Sequence, residues 1–238
     1  MDGLDTAYKI SILASIAFGR QVDVDMVPRE GIRAIGADDI EYAEDLGFRI
    51  KLLGVVDALE GGRVLVRVHP TMVPLSHPLG SVNGVYNALW VRGDFVGDLM
   101  FTGRGAGSDP TASAVVGDLL DCARNIAGGG SGSAVPYGEG QPLGDLNDLR
   151  SAYYLRLTVE DRPRALGMIA TVFGQHEVGL AAMEMRTRPE GRGEIVFLIH
   201  ESPEIAFQSA LNDLERLDVV HRVEQWMRVE PLGIELGR

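Results

Sequence analysis

Residues 128 to 144 read GGGSGSAVPYGEGQPLG, and no other feature of this 238-residue chain limits its fold as strongly. Seven of the seventeen residues are glycine, and the apolar periodicity stops there. Glycine has the most backbone entropy to lose on folding, and nothing in the stretch can offset that loss by burial. Residues 128–150 are therefore expected to be a linker, with one folded part before it over residues 1–127 and another after it over 151–238. The chain is long enough for two ordinary domains.

On the far side of the linker the pattern is regular. Strand YYLRLTV, helix RPRALGMIATVFGQH, strands GLAAMEMRTR and GEIVFLIHE, helix EIAFQSALNDLERL and strand HRVEQWMRVE follow one another. Leu166, Ile169, Ala170 and Phe173 recur at helical spacing, as do Phe207, Ala210, Leu211 and Leu214, so each helix has one face to lay on a sheet. The order βαββαβ is the ferredoxin-like pattern. Before the linker, helices are expected near 5–18, 38–47 and 109–126, the last with Asp109 as N-cap and Pro110 in its first turn. Strands are expected near 49–59, 63–74, 84–93 and 96–102. The fold class is α+β: an antiparallel sheet covered by helices, then the βαββαβ part.

A formal net charge of −12 and a pI near 4.8 argue against nucleic acid or an anionic membrane as the main partner. No run of eighteen apolar residues and no signal-peptide order occurs, which points to a cytoplasmic protein. Cys122 is the single cysteine and is expected to be a small buried hydrophobe.

Two stretches carry chemistry. In GLDTAYKISILAS, residues 3–15, Ile10, Ile12, Leu13, Ile16 and Ala17 make an apolar stripe, and Asp5 and Lys9 point into it. Their i, i+4 spacing brings the two side chains together. That is a salt bridge in one reading and a site in the other, since a lysine in an apolar cleft shifts its pKa readily and a carboxylate beside it can orient a substrate. In GDLMFTGRGAGSDPTASAVVGDLL a strand enters the turn Gly103, Gly105, Gly107 and leaves as a helix whose first amides could meet a phosphate or the polar part of a cofactor. A tight turn and nothing more is the other reading, because the stretch is not G-x-G-x-x-G.

Other residues weigh less. His69 and His77 flank a proline-rich segment without metal-ligand spacing, His176, His200 and His221 are scattered, and no metal site is expected. The acidic run DDIEYAED reads as a solvated helix face. Trp90 and Trp226 fall on expected strands and read as core or interface.

Three stretches in order, GLDTAYKISILASIAFG, VRVHPTMVPLSHPLGSVNGVYNALWVRGD and GRGAGSDPTASAVVGDLL, resemble the catalytic part of homoserine dehydrogenase, over residues 3 to about 126. Residues from about 152 to 230 resemble an ACT domain, a small amino-acid-binding regulatory module. The resemblance implies NAD- or NADP-dependent interconversion of aspartate semialdehyde and homoserine, on the route to threonine and methionine. It implies Lys9 as proton donor, Asp5 as substrate ligand, and the turn Gly105, Ala106, Gly107 beside the nicotinamide, with the following helix packed on a nucleotide-binding domain.

Departures from the family pattern matter too. Members carry a Rossmann domain upstream, and none is legible here, so a truncated enzyme or one half of a split enzyme with a separate Rossmann-domain chain is expected, inactive alone. In the ACT part the usual D-x-P-G turn reads DRPRAL, with Arg164 in the glycine position. An amino-acid effector site and a ligand-free dimerisation module both stay open, and a homo-oligomer is expected in either case.

Overall fold

The computed structural model of the chain describes residues 2–130, 138, 142–188 and 192–230. Its elements in order are α1 (Leu4–Phe18), α2 (Ala37–Asp45), β1 (Phe48–Leu59), β2 (Arg63–Pro74), β3 (Tyr86–Gly93), β4 (Gly97–Arg104), α3 (Ser108–Ala127), β5 (Arg150–Glu160), α4 (Ala165–Gln175), β6 (Leu180–Arg188), β7 (Arg192–Pro203), α5 (Glu204–Leu214) and β8 (Val220–Val229). Two compact units result, one made of Met1–Pro74 with Tyr137–Arg238 and the other of Leu75–Pro136. Residues 131–137 and 139–141 of the expected linker lie outside the described residues.

In the first unit a six-stranded sheet has the order β1-β2-β8-β5-β7-β6. The last four strands pair antiparallel and with α4 and α5 form the ferredoxin-like arrangement expected of an ACT domain. The hairpin β1–β2, which precedes the glycine-rich stretch, extends this sheet through a short parallel seam, Thr71 against Arg228 and Met72 against Val229. The compact units therefore cut the chain differently from a boundary drawn at the linker.

Strand β5 is the middle of both cores. Tyr153, Leu155, Leu157 and Val159 pack with Ile169, Phe173, Phe207 and Leu214 on the helix-covered face, where the Tyr153 and Phe207 rings stack at 3.8 Å. Ala152 and Tyr154 point the other way, toward Tyr42, Phe48 and Met72. Arg156 shares that second face and is buried, so it needs partners there. It donates to Asp39 at 2.8 and 3.1 Å and to Glu194 at 3.1 Å, while Tyr154 donates to Asp39 and Tyr42 to Glu194. Asp39 is fully buried. The acidic run is thus only partly a solvated face, because one of its carboxylates fastens α2 to the sheet.

A third core, under α1, joins Ala7, Ile10 and Ala14 to Val64, Val66 and Val68 of β2. Among the described residues no helix is long and apolar enough to cross a membrane.

The second unit holds the β3–β4 hairpin and α3. His77 accepts from the Leu79 amide and packs edge-on against Trp90, with ring centroids 5.2 Å apart. Gly107, not Asp109, is the N-cap of α3, with Asp109 in the first turn. The helix has no buried residue, and Val115, Val116, Leu119, Leu120 and Ile126 are exposed along it. Cys122 is exposed with them, contrary to the expectation of burial.

Candidate functional site

Small residues set where α1 lies. Ala7, Ser11, Ala14 and Ser15 are buried together with Ile10, and the two serines donate back to the Ala7 and Ser11 carbonyls at 2.6 Å. Opposite them on β1 is Gly54, where a Cβ would come within 2.9 Å of the Ile10 Cβ and 3.2 Å of the Thr6 methyl. Only glycine lets the helix approach the sheet this closely. At the start of α1, Gly3 is left-handed at φ 77°, and a Cβ there would press on Val68 at 3.1 Å and on the Glu30 carbonyl at 3.3 Å. Both ends of this fit are fixed by glycine.

The other face of α1 is therefore the outer one. Tyr8, Ile12, Leu13 and Ile16 are exposed there, so of the stripe expected to be buried only Ile10 is. Lys9 and Asp5 lie among them as an ion pair at 2.9 Å, their side chains 57% and 83% exposed. The pair is not buried. It is an accessible ammonium and carboxylate framed by apolar side chains, with Asp5 in the first turn of the helix, where negative charge is favoured. An ammonium so placed can give a proton to an oxygen brought against this face, and the carboxylate can accept hydrogen bonds from a polar ligand.

The basic residues are unevenly chosen. Of the 22 basic residues only two are lysines, Lys9 and Lys51. In a chain this rich in arginine, the lysine at position 9 supplies a compact point charge that differs in kind from a guanidinium.

In the second unit, Gly105, Ala106 and Gly107 connect β4 to α3. The Gly105 amide donates to the Val85 carbonyl at 2.9 Å, and a Cβ at this position would collide with the Asn87 side-chain amide. Gly107 has φ 130° and ψ 155°, a region that L side chains essentially never occupy. Its carbonyl accepts from the Thr111 amide and hydroxyl, and no side chain caps the first turn of α3. A bare turn of this kind leaves backbone that a polar ligand, such as the nicotinamide cofactor expected from the sequence, could approach directly. Among the described residues there is no doubly wound parallel sheet to hold the remainder of such a molecule.

His69 and His77 are structural. His69 is 1% exposed on β2; its Nε2 accepts from the Arg67 Nε at 3.0 Å, and its Nδ1 meets the Thr71 hydroxyl at 2.9 Å. Burial first, then the charges of Arg228 and Arg67, hold it down to about 3, so the ring is neutral. No group of acidic, histidine or cysteine side chains among the described residues could hold a metal ion. Arg164, at the position where the ACT resemblance implies a glycine, adopts φ 78°, a left-handed backbone that glycine takes up without strain.

A family model described as homoserine dehydrogenase matches residues 1–120. Homoserine dehydrogenases of Synechocystis sp. and Neisseria gonorrhoeae are 39% and 38% identical over 96% and 98% of this chain, and over 55% of each relative. Among solved structures, a homoserine dehydrogenase from Thiobacillus denitrificans superposes with a TM-score of 0.88 at 35% identity, over 98% of this chain and 54% of its own. One from S. aureus does so with a TM-score of 0.66 at 28% identity, over 96% and 53%. The chain thus spans about half the length of the curated relatives it matches. With the Lys9–Asp5 helix and the Gly105–Gly107 turn both inside the matched segment, the chain belongs to the homoserine dehydrogenase family.

Proposed function

We propose that this chain forms the substrate side and the regulatory module of a cytoplasmic homoserine dehydrogenase, which interconverts aspartate semialdehyde and homoserine with NAD or NADP in threonine and methionine biosynthesis. The observation that carries the reading is the accessible Lys9–Asp5 pair, held on the outer face of α1 by Gly3 and Gly54. Lys9 gives its proton to the forming hydroxyl oxygen of homoserine and takes it back in the reverse direction. Asp5 accepts hydrogen bonds from the substrate and keeps the ammonium oriented. Gly105, Ala106 and Gly107 lie against the nicotinamide, which when bound supplies or accepts the hydride. The exposed face of α3 receives a nucleotide-binding domain, and hydride transfer needs such a domain, because cofactor and substrate must be held together. Residues 1–127 act as the catalytic part, 128–150 as a linker and 151–238 as the ACT domain.

Homoserine-dependent reduction of NAD or NADP by the chain mixed with a separately expressed nucleotide-binding domain tests this. Turnover in the mixture supports the reading. A folded complex of the two that binds dinucleotide and stays inactive with homoserine overturns it.

A second reading concerns the βαββαβ part by itself, as a module for an amino-acid effector or for self-association. The left-handed backbone at Arg164 favours the first, since it keeps the turn that a ligand would approach. The sheet-edge strand β6, with Met183 and Met185 each 46% exposed, favours a homo-oligomer.

A further inference from the structure

Two buried arginines cross between the Lys9 side and the βαββαβ part: Arg67 of β2 donates to Glu230 at 3.3 Å, and Arg228 reaches the segment beneath the start of the Lys9 helix. Arg228, on β8, is 2% exposed and makes three charge-assisted hydrogen bonds. Its Nε and Nη2 donate to the two carboxylate oxygens of Glu204 at 3.1 and 2.6 Å, and its Nη1 donates to Glu30 at 3.0 Å. Glu204 is the first residue of α5 and also accepts from the Tyr153 hydroxyl at 2.8 Å and from Gln208 at 3.1 Å. It is thus fixed to the core of the module.

Glu30 belongs to the other side of the junction. Its amide donates to the Val68 carbonyl at 2.8 Å, and its own carbonyl lies under Gly3, the N-cap of α1. Three residues on, Arg33 pairs with Asp2 at the same helix start. The segment 28–33 therefore grips the first turn of α1, and Arg228 grips that segment. Among the described residues, backbone pairing between β2 and the end of β8 is Thr71–Arg228, Met72–Val229 and a Glu230 amide that donates to Met72, and of the buried side chains that cross there, Arg228 is the one that reaches the segment under the start of α1.

We propose that Arg228 is a positioning residue: through Glu30 it fixes the first turn of α1, and so it sets the placement of Lys9 and Asp5 from within the βαββαβ module. A bidentate pair with Glu204 leaves one guanidinium nitrogen for Glu30, and this fork geometry is specific to arginine. A displacement of β8 or of the start of α5 reaches the Lys9–Asp5 pair by this route, with no ligand contact at α1. The functional meaning of that placement rests on Lys9 being the proton donor, whereas the mechanical link does not.

The test uses the full chain and needs no turnover. Reductive methylation with 13C-formaldehyde labels only Lys9, Lys51 and the terminal amine, and Lys9→Arg assigns the peaks. Amide exchange of residues 7–9 is followed alongside, in Glu30→Ala, in Arg228→Met and in Arg156→Met. Arg156 is the control, a buried arginine of the same sheet that ties down α2 through Asp39 and does not touch segment 28–33. Loss of a charge-assisted bond at Glu30 or Arg228 is expected to speed exchange in residues 7–9, whose amides are the first bonded in α1, about tenfold and to move the Lys9 peak. Arg156→Met is expected to leave both unchanged while opening α2. Glu30→Ala keeps the Arg228–Glu204 pair and decides the matter if Arg228→Met does not fold. A folded Glu30→Ala with unchanged exchange and an unmoved Lys9 peak overturns the proposal, as does an equal change in Arg156→Met. Loss of homoserine-dependent turnover in Lys9→Ala is a separate result, so failure of the link and failure of the proposed function are told apart.

Discussion

Acid should weaken the first unit through His69, by an amount the structure fixes. The guanidinium of Arg67 has only donors, so the His69 Nε2 at 3.0 Å must accept, and the neutral ring carries its proton on Nδ1. Protonating Nε2 would set N–H against N–H in a site that is 1% exposed and already holds Arg67 and Arg228. The native ring therefore stays neutral down to about 3, against 6.5 in the unfolded chain. The unfolded state takes up a proton that the native state refuses, so stability falls as the pH drops through 6.5 and goes on falling to about 3. Between about pH 7.5 and pH 5 the loss from this one ring is about 2 kcal/mol. Glu230 acts in the opposite direction: burial, opposed by Arg67 and helped by Asp57, raises its carboxyl, so the native state protonates it more readily. Comparison with His69→Gln isolates the histidine, since glutamine offers Arg67 an acceptor without a titrating ring. Urea unfolding at the two pH values should show about 2 kcal/mol less acid loss in the variant. Equal acid loss in His69→Gln and the parent would refute the reasoning.

Four other outcomes follow from the packing. Gly54→Ala should cost about 1–3 kcal/mol in urea unfolding, because the new methyl meets the Ile10 Cβ at 2.9 Å and α1 must lift; an unchanged midpoint would contradict that close approach. Arg156→Met should cost about 3–5 kcal/mol by leaving Asp39 and Glu194 buried without their partner. Arg164→Gly should stabilise by about 1 kcal/mol, since glycine adopts φ 78° without strain, and a loss of stability would mean that the arginine side chain makes a compensating contact. If the βαββαβ part binds threonine, saturation to about 100 times Kd should add about 2.7 kcal/mol, seen as a rise in Tm; no rise at any concentration would leave self-association as its role.

Helices and strands were legible because most segments carry a clean 3.6- or 2-residue period, and the βαββαβ order fixed the sheet of the second half. The outer face of α1 was not. Ile12, Leu13 and Ile16 outweigh Ala7, Ser11, Ala14 and Ser15 on any hydrophobicity count, yet the small residues are the buried ones, because Gly54 across the sheet rewards close approach. A lone glycine inside a strand pattern was the available signal. Burial of Asp39 depends on Arg156, more than a hundred residues away, and the β2–β8 seam on two register pairs, neither of which leaves a local mark in the sequence. Cys122 was misplaced because α3 is apolar without being covered among the described residues. The Lys9–Asp5 contact was legible from spacing alone, since i, i+4 residues on a helix must be neighbours.

The most direct test compares Lys9→Ala and Asp5→Asn with the parent in homoserine-dependent reduction of the nicotinamide cofactor, with the nucleotide-binding domain supplied. Lys9→Ala should lower kcat by a factor of about 100 to 10,000, the usual worth of a positioned general acid or base, and Asp5→Asn should act mainly by raising KM. A Lys9→Ala protein that keeps the parent's kcat would contradict the assignment of Lys9 as the proton donor.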